Sequence, residues 1–128
     1  MDALIETMPF ARHLGIEVIA ASRDEVRTRL AWAEHLCTSG GVLHGGVLMT
    51  LADTSGALCS FLNLPEGAGT STIESKTNFF RAVREGHVET TSRPLHVGRS
   101  TIVVQTDIND AAGKRVAQVT QTQAVLTR

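Results

Sequence analysis

The chain has 128 residues, 42% of them hydrophobic, and sets 12 basic against 13 acidic side chains for a formal net charge of −1. That size predicts one globular domain over residues 1–128, able to bury roughly two thirds of its unfolded surface. The balanced charge lacks the basic footprint that nucleic acid or an anionic membrane requires, so the expected partners are a small molecule and other protein chains.

The opening segment, MDALIETMPFARHLG, carries Asp2 and Glu6 where a signal peptide would be basic, and its apolar runs are too short to span a bilayer. A cytoplasmic address follows as the expectation. The segment reads as a short helix ending near Gly15. Next, IEVIAASRDEVRTRLAW gives two strand-like pieces broken at SRDE, which predicts a hairpin. The glycine-rich CTSGGVLHGG leads into LHGGVLMTLADTSGALCSFLNL, residues 43–64, a long apolar helix whose end is marked by Asn63, Pro65 and Gly67.

The remainder has strand character. In STIESKTNFF, Ile73, Ser75, Thr77 and Phe79 alternate with Glu74, Lys76 and Asn78, a period of two. HVETTSRPLHV, STIVVQTDIN and RVAQVTQTQAVL follow as further strands, with Pro94 demoting part of the first to an edge or a bulge. No helix intervenes between these strands, so an antiparallel sheet is expected. Along the helix, Val47, Leu48, Leu51, Ala52, Leu58, Cys59 and Leu62 point in most directions around the axis and need covering on nearly all sides. An α+β architecture satisfies this: one long curved antiparallel sheet wrapped around a central helix, the hotdog fold.

Within that apolar helix stands one charge. From His35 to Pro65 the chain holds no Asp, Glu, Lys or Arg except Asp53. Gly45 and Gly46 stand at the helix start, where backbone N–H groups lack intrahelical partners and carry the positive end of the helix dipole. Such donors suit an oxyanion, and Asp53 offers a base or nucleophile, so together they form a minimal kit for acyl transfer to water. Eight residues separate Gly45 from Asp53, roughly 12 Å along a helix. That is too far for both to touch one carbonyl, so a shared site requires a homodimer in which Gly45 of one protomer faces Asp53 of the other.

Cys37 and Cys59, the only cysteines, are too few for a disulfide framework and are read as reduced thiols. The five histidines form no HxxxH or HExxH pattern, and His35, Cys37 and His44 lack a fourth ligand, so neither a metal nor another cofactor is expected.

LHGGVLMTLAD, with Asp53 nine residues after His44, followed by GTSTIESKTNFFRA and HVGRSTIVVQTDINDAAGKRVAQ, resembles the hotdog acyl-CoA thioesterases of the phenylacetate-degradation type, relatives of hydroxybenzoyl-CoA thioesterase. The resemblance runs from about residue 14 to the C-terminus. It implies hydrolysis of an aryl- or medium-chain acyl-CoA to free acid and CoA, at sites between subunits of a dimer or a dimer of dimers. By that resemblance Asp53 is nucleophile or general base, His44 and the Gly45 N–H polarise the thioester carbonyl, and Ser71 helps hold the attacking water. Thr38 stands where the family carries Asn or Gln, and a hydroxyl reaches less far than an amide. Gly46, Arg81, Arg99 and Ser100 are assigned to substrate binding, with Arg84, Lys114 and Arg115 as further candidates for the CoA phosphates. Two other readings share the scaffold: a hotdog dehydratase or hydratase, and a non-catalytic acyl-CoA sensor.

Overall fold

The structure, a computed structural model, describes residues 2–127; Met1 and Arg128, the ends of the expected domain, lie outside the described residues. Two short helices come first, α1 (Asp2–Glu6) and α2 (Pro9–Leu14). The sequence reads as one helix here. Pro9 divides it, because the pyrrolidine ring suits the first turn of a helix and disfavours a helical residue before it. Gly15 then closes α2 in the left-handed region at φ 81°, returning its N–H to the carbonyls of Ala11 and Arg12.

The hairpin β1 (Glu17–Ala21) and β2 (Val26–Ala31) follows, then two 3₁₀ turns, the long helix α3 (Gly45–Leu62), and the strands β3 (Gly69–Phe79), β4 (His87–Val97), β5 (Thr101–Asp110) and β6 (Arg115–Leu126). The six strands form one antiparallel sheet in the order β1-β2-β4-β5-β6-β3. This is the hotdog arrangement. Every strand predicted from alternation is present, and Pro94 sits beside a bulge, beyond the stretch of β4 that pairs with β2.

Helix α3 crosses the inner face of the sheet and packs against β2 to β6. Leu48, Leu51, Ala52, Leu58 and Cys59 bury against Val88, Ile102, Val104, Ile108, Val116 and Val119. A chain of buried hydroxyls fixes the helix in place: Thr90 Oγ1 and Ser92 Oγ both donate to Ser55 Oγ, at 2.8 and 2.9 Å, and extend the network to Thr28 on β2 and Thr106 on β5. Buried hydroxyls left unpaired would each cost about 1–3 kcal/mol, so the set resists any sliding of α3 along the sheet. Ser55 therefore determines where the carboxylate two residues earlier comes to rest.

The sheet does not cover α3 on all sides, as the sequence pattern suggests it should. By length and composition α3 could cross a bilayer, yet half its residues are buried inside the fold. Gly46, Met49, Thr50, Asp53, Ala57 and Phe61, spaced three and four apart, form a stripe that the single chain leaves open or half-covered. Beside it, the long strand β3 is an edge of the sheet, with Ile73, Phe79 and Phe80 each more than half exposed.

Candidate active site

Each part of the candidate site is placed by the chain around it. His44 caps α3: its backbone N–H donates to the Leu36 carbonyl at 2.9 Å, and its Nδ1 accepts from the Gly46 N–H at 2.8 Å. That bond puts the proton of the neutral ring on Nε2, which leaves Nε2–H as a donor on an exposed side chain. It also corrects the expectation of two free amides, since the Gly46 N–H is taken by the imidazole. Among the described residues the Gly45 N–H has no partner, making it the one donor in this pair free for an oxyanion. The Phe79 ring lies over Gly45, where an added Cβ would come within 3.2 Å of it. A bare backbone at this position keeps the approach to the amide open.

Asp53 is exposed in the single chain, so its surroundings are not the apolar wall of a core. Its carboxylate is held on one oxygen only. Thr72 Oγ1 donates to Oδ1 at 3.0 Å and Gln121 Nε2 donates to the same oxygen at 3.1 Å. Thr72 Oγ1 in turn accepts from Gln123 Nε2 at 2.7 Å, and Gln123 Oε1 accepts from Thr70. Oδ2 has no partner among the described residues. One oxygen is thus anchored while the other is free to act on a proton or a carbon.

Gln121 reaches Asp53 only because Gly56 lacks a side chain: a Cβ at Gly56 would lie 2.0 Å from Gln121 Oε1. The amide is fully buried, and its Oε1 has no hydrogen-bond partner, so its orientation is set by the carboxylate it serves. Thr72, Gln121, Gln123 and Gly56 were not anticipated from the sequence. The available signal was the parity of β6, where Gln121 and Gln123 fall on the buried side with Val119.

Ser71 lies on the other face of β3 from Thr72 and makes no hydrogen bond to Asp53; within one chain the hydroxyl at the carboxylate is that of Thr72. Thr38 is exposed in the turn before α3, where its N–H donates to the Val42 carbonyl at 2.8 Å. The cations assigned to the CoA phosphates divide between the two ends of the sheet. Arg81 follows the end of β3 that meets Ala117, its N–H on the Val116 carbonyl, with Arg84, Lys114 and Arg115 at the same end. Arg99 and Ser100 lie in the β4–β5 turn at the opposite end, beside Val125. The length of β3 separates these groups by roughly 30 Å. Among the described residues no cluster of three or more His, Cys, Asp or Glu side chains is placed to hold a metal.

A family model described as the thioesterase superfamily matches residues 40–117, the segment that carries Gly45, Asp53, Thr72 and most of the sheet. In sequence, the chain is 30% identical over 114 residues to the proofreading thioesterase EntH of Cronobacter turicensis, covering 89% of this chain and 83% of that protein. In structure, it is similar to a thioesterase of Haemophilus influenzae, with a TM-score of 0.88 and 33% identity across 92% of this chain and 82% of that one. A mutant thioesterase of Pseudomonas aeruginosa superposes with a TM-score of 0.92 at 25% identity, over 98% and 92% of the two chains.

Proposed function

We propose that this chain, which belongs to the thioesterase superfamily, hydrolyses an acyl-CoA thioester at a site completed by a second copy of itself. The closer kinship to the phenylacetate-degradation type belongs to the same proposal, as do a cytoplasmic location and a single catalytic domain over residues 1–128. The observation that carries the reading is the pairing of a half-anchored carboxylate with an unpartnered amide at a helix start, eight residues away on the same helix.

In this mechanism Asp53 Oδ2 takes a proton from water as the oxygen adds to the thioester carbonyl carbon. The carbonyl oxygen becomes an oxyanion and is met by the Gly45 N–H of the partner subunit, with the His44 Nε2–H of that subunit beside it. Collapse breaks the carbon–sulfur bond, and the proton held on Asp53 passes to the departing CoA thiolate. Direct attack by Oδ2 is the covalent variant: it forms an acyl anhydride and expels the thiolate, which takes up a proton from solvent, and water then hydrolyses the anhydride.

Three features support a two-fold partner. The 12 Å or so between Gly45 and Asp53 along α3 cannot be closed within one chain. The edge strand β3 and the open stripe of α3 together offer unpaired backbone and apolar surface. An antiparallel two-fold through the middle of β3 carries the Arg99 end of one chain toward the Arg81 end of the other. Cations that are far apart in one chain then meet at one mouth, where CoA phosphates need them. Gly46 and Thr38 remain in the proposal as substrate- or water-facing groups of that joint site, while the role expected of Ser71, which lies on the far face of β3, passes to the Thr72 hydroxyl beside the carboxylate.

The test is free-thiol release from aryl- and alkyl-CoA thioesters by the native chain and by Asp53→Asn. A loss of at least ~100-fold in the variant is expected for removal of a general base. Stoichiometric binding without turnover would favour the sensor, and loss of enoyl absorbance without free thiol would favour the hydratase.

A further inference from the structure

Two glutamines of β6, Gln121 and Gln123, lie buried on the inner face of the sheet, alongside Val119 of the same strand and Ile102 and Val104 of β5. A primary amide in such a place costs free energy unless it is hydrogen-bonded, whereas a leucine would fill the space without that cost. Gln121 reaches Asp53 directly. Gln123 does not touch the carboxylate. Its amide stands between two hydroxyls of β3, accepting from Thr70 Oγ1 on Oε1 at 3.1 Å and donating from Nε2 to Thr72 Oγ1 at 2.7 Å. The Thr70 proton is shared with the Ala124 carbonyl at 2.8 Å.

The direction of each bond in this chain follows from the charge at its end. A carboxylate only accepts, so Thr72 donates to Asp53 Oδ1 and spends its single proton there. The Thr72 oxygen then has only lone pairs to offer Gln123, and of the two ends of the amide only the NH₂ can meet them. Turned the other way, the amide would present Oε1 to Thr72, claim the hydroxyl proton and strip Asp53 Oδ1 of one of its two donors. The charged side chains of the adjoining strands lie elsewhere. Glu74 and Lys76 of β3 pair with Thr122 and Thr120 on the outer face, Asp107 of β5 bonds Gln118 and Arg115 on that same face, and Asp110 holds the β5–β6 turn through the Ala112 and Lys114 N–H groups. On α3 the other titratable group is Cys59, buried in the core.

We infer that Gln123 is a positioning residue for Asp53, acting through Thr72. It commits the Thr72 proton to Oδ1, so that Thr72 and Gln121 together occupy that oxygen and Oδ2 is left as the one that takes the proton from water. The inference rests on the thioesterase reading and adds to it a group two hydrogen bonds removed from the carboxylate.

The experiment measures kcat and KM for benzoyl- and octanoyl-CoA by thiol release, between about pH 5 and 9, in the native protein, Gln123→Met, Gln123→Glu and Thr72→Val. Gln123→Met keeps the length of the side chain and removes both polar atoms. It is expected to lower kcat roughly tenfold with KM within about twofold, because the amide orients the base and touches no substrate. In Gln123→Glu the protonated carboxyl repeats the native order, its O–H toward Thr72 and its C=O toward Thr70, whereas the ionised form only accepts and takes the Thr72 proton from Asp53. The kcat of Gln123→Glu relative to the native protein should therefore be highest at the acid end. It should fall as pH rises through the titration of the introduced carboxyl, which burial and the Asp53 charge raise above the ordinary ~4.3 of a glutamate. The same ratio for Gln123→Met should stay flat with pH. Thr72→Val cuts the chain at its middle, so adding Gln123→Met to it should lower kcat by less than about twofold more. Circular dichroism at each pH restricts the comparison to folded protein; if Gln123→Glu unfolds above neutral pH, the kcat of Gln123→Met and its non-additivity with Thr72→Val decide. A native kcat in Gln123→Met, a flat ratio in folded Gln123→Glu, or full additivity with Thr72→Val would overturn the relay while leaving the thioesterase standing. Absence of thiol release by the native protein would instead overturn the thioesterase reading, and the relay with it.

Discussion

Asp53 explains why one charge persists in a 31-residue uncharged stretch: it sits on the side of α3 that the sheet leaves open, while Ser55, two residues on, faces the buried hydroxyls. The carboxylate is steered by Thr72 and Gln121, and Gly56 makes room for the latter. Gly56→Ala drives a methyl group into the Gln121 amide, a buried overpacking worth about 1–3 kcal/mol. Chemical denaturation should show that loss, and the double variant Gly56→Ala with Gln121→Ala should be less destabilised than the sum of the two singles. Elsewhere, burial pushes the Cys59 thiol up to about 11. Since the thiolate is the reactive form, Cys59 should resist alkylation at pH 8 in the native protein, with the half-buried Cys37 modified first. The sequence made His44, Gly45 and Asp53 legible because a helix start and a lone charge are local features. Thr72 and Gln121 were not legible, because they meet Asp53 only through strand pairing 19 and 68 residues away.

At the scale of elements, alternation made the strands readable and glycine placement made the helix start readable, whereas side-of-sheet assignment depended on details that alternation misses. The bulge between Thr72 and Glu74 is the clearest case: it displaces Ile73 from the series Ser75, Thr77, Phe79 that pairs with the buried residues of β6. On the opposite face, Glu89 of β4 bonds Arg27 and Arg29 of β2 and lies 3.4 Å from His87. Burial alone would raise the Glu89 carboxyl, but the charge of Arg29, the His87 hydrogen bond and the charge of Arg27 outweigh it and hold the group below its ordinary 4.5. A carboxyl depressed in the folded state contributes stability above its unfolded value, and that contribution is lost as pH falls below about 4.5 through the folded value. Glu89→Gln should therefore flatten the acid limb of a stability–pH curve measured by denaturant unfolding, with the difference from the native protein vanishing at the lowest pH.

The whole molecule is where the spacing argument and the structure meet. Neither the open stripe of α3 nor the exposed Ile73 and Phe79 of β3 are accounted for by a lone chain, and an apolar pocket beside Asp53 was invisible in the sequence because its walls come from residues 4 and 70 as well as 58. The central claim is that each site draws its carboxylate from one chain and its amide from the other. Gly45→Pro removes the free N–H at a position where proline is compatible with a helix, and Asp53→Asn removes the base. Coexpressed with separate tags, the two variants should form mixed dimers in which one of the two sites is intact, recovering roughly a quarter of native thiol release at random pairing while each variant alone stays near background. No recovery in purified mixed dimers would contradict a site shared between chains.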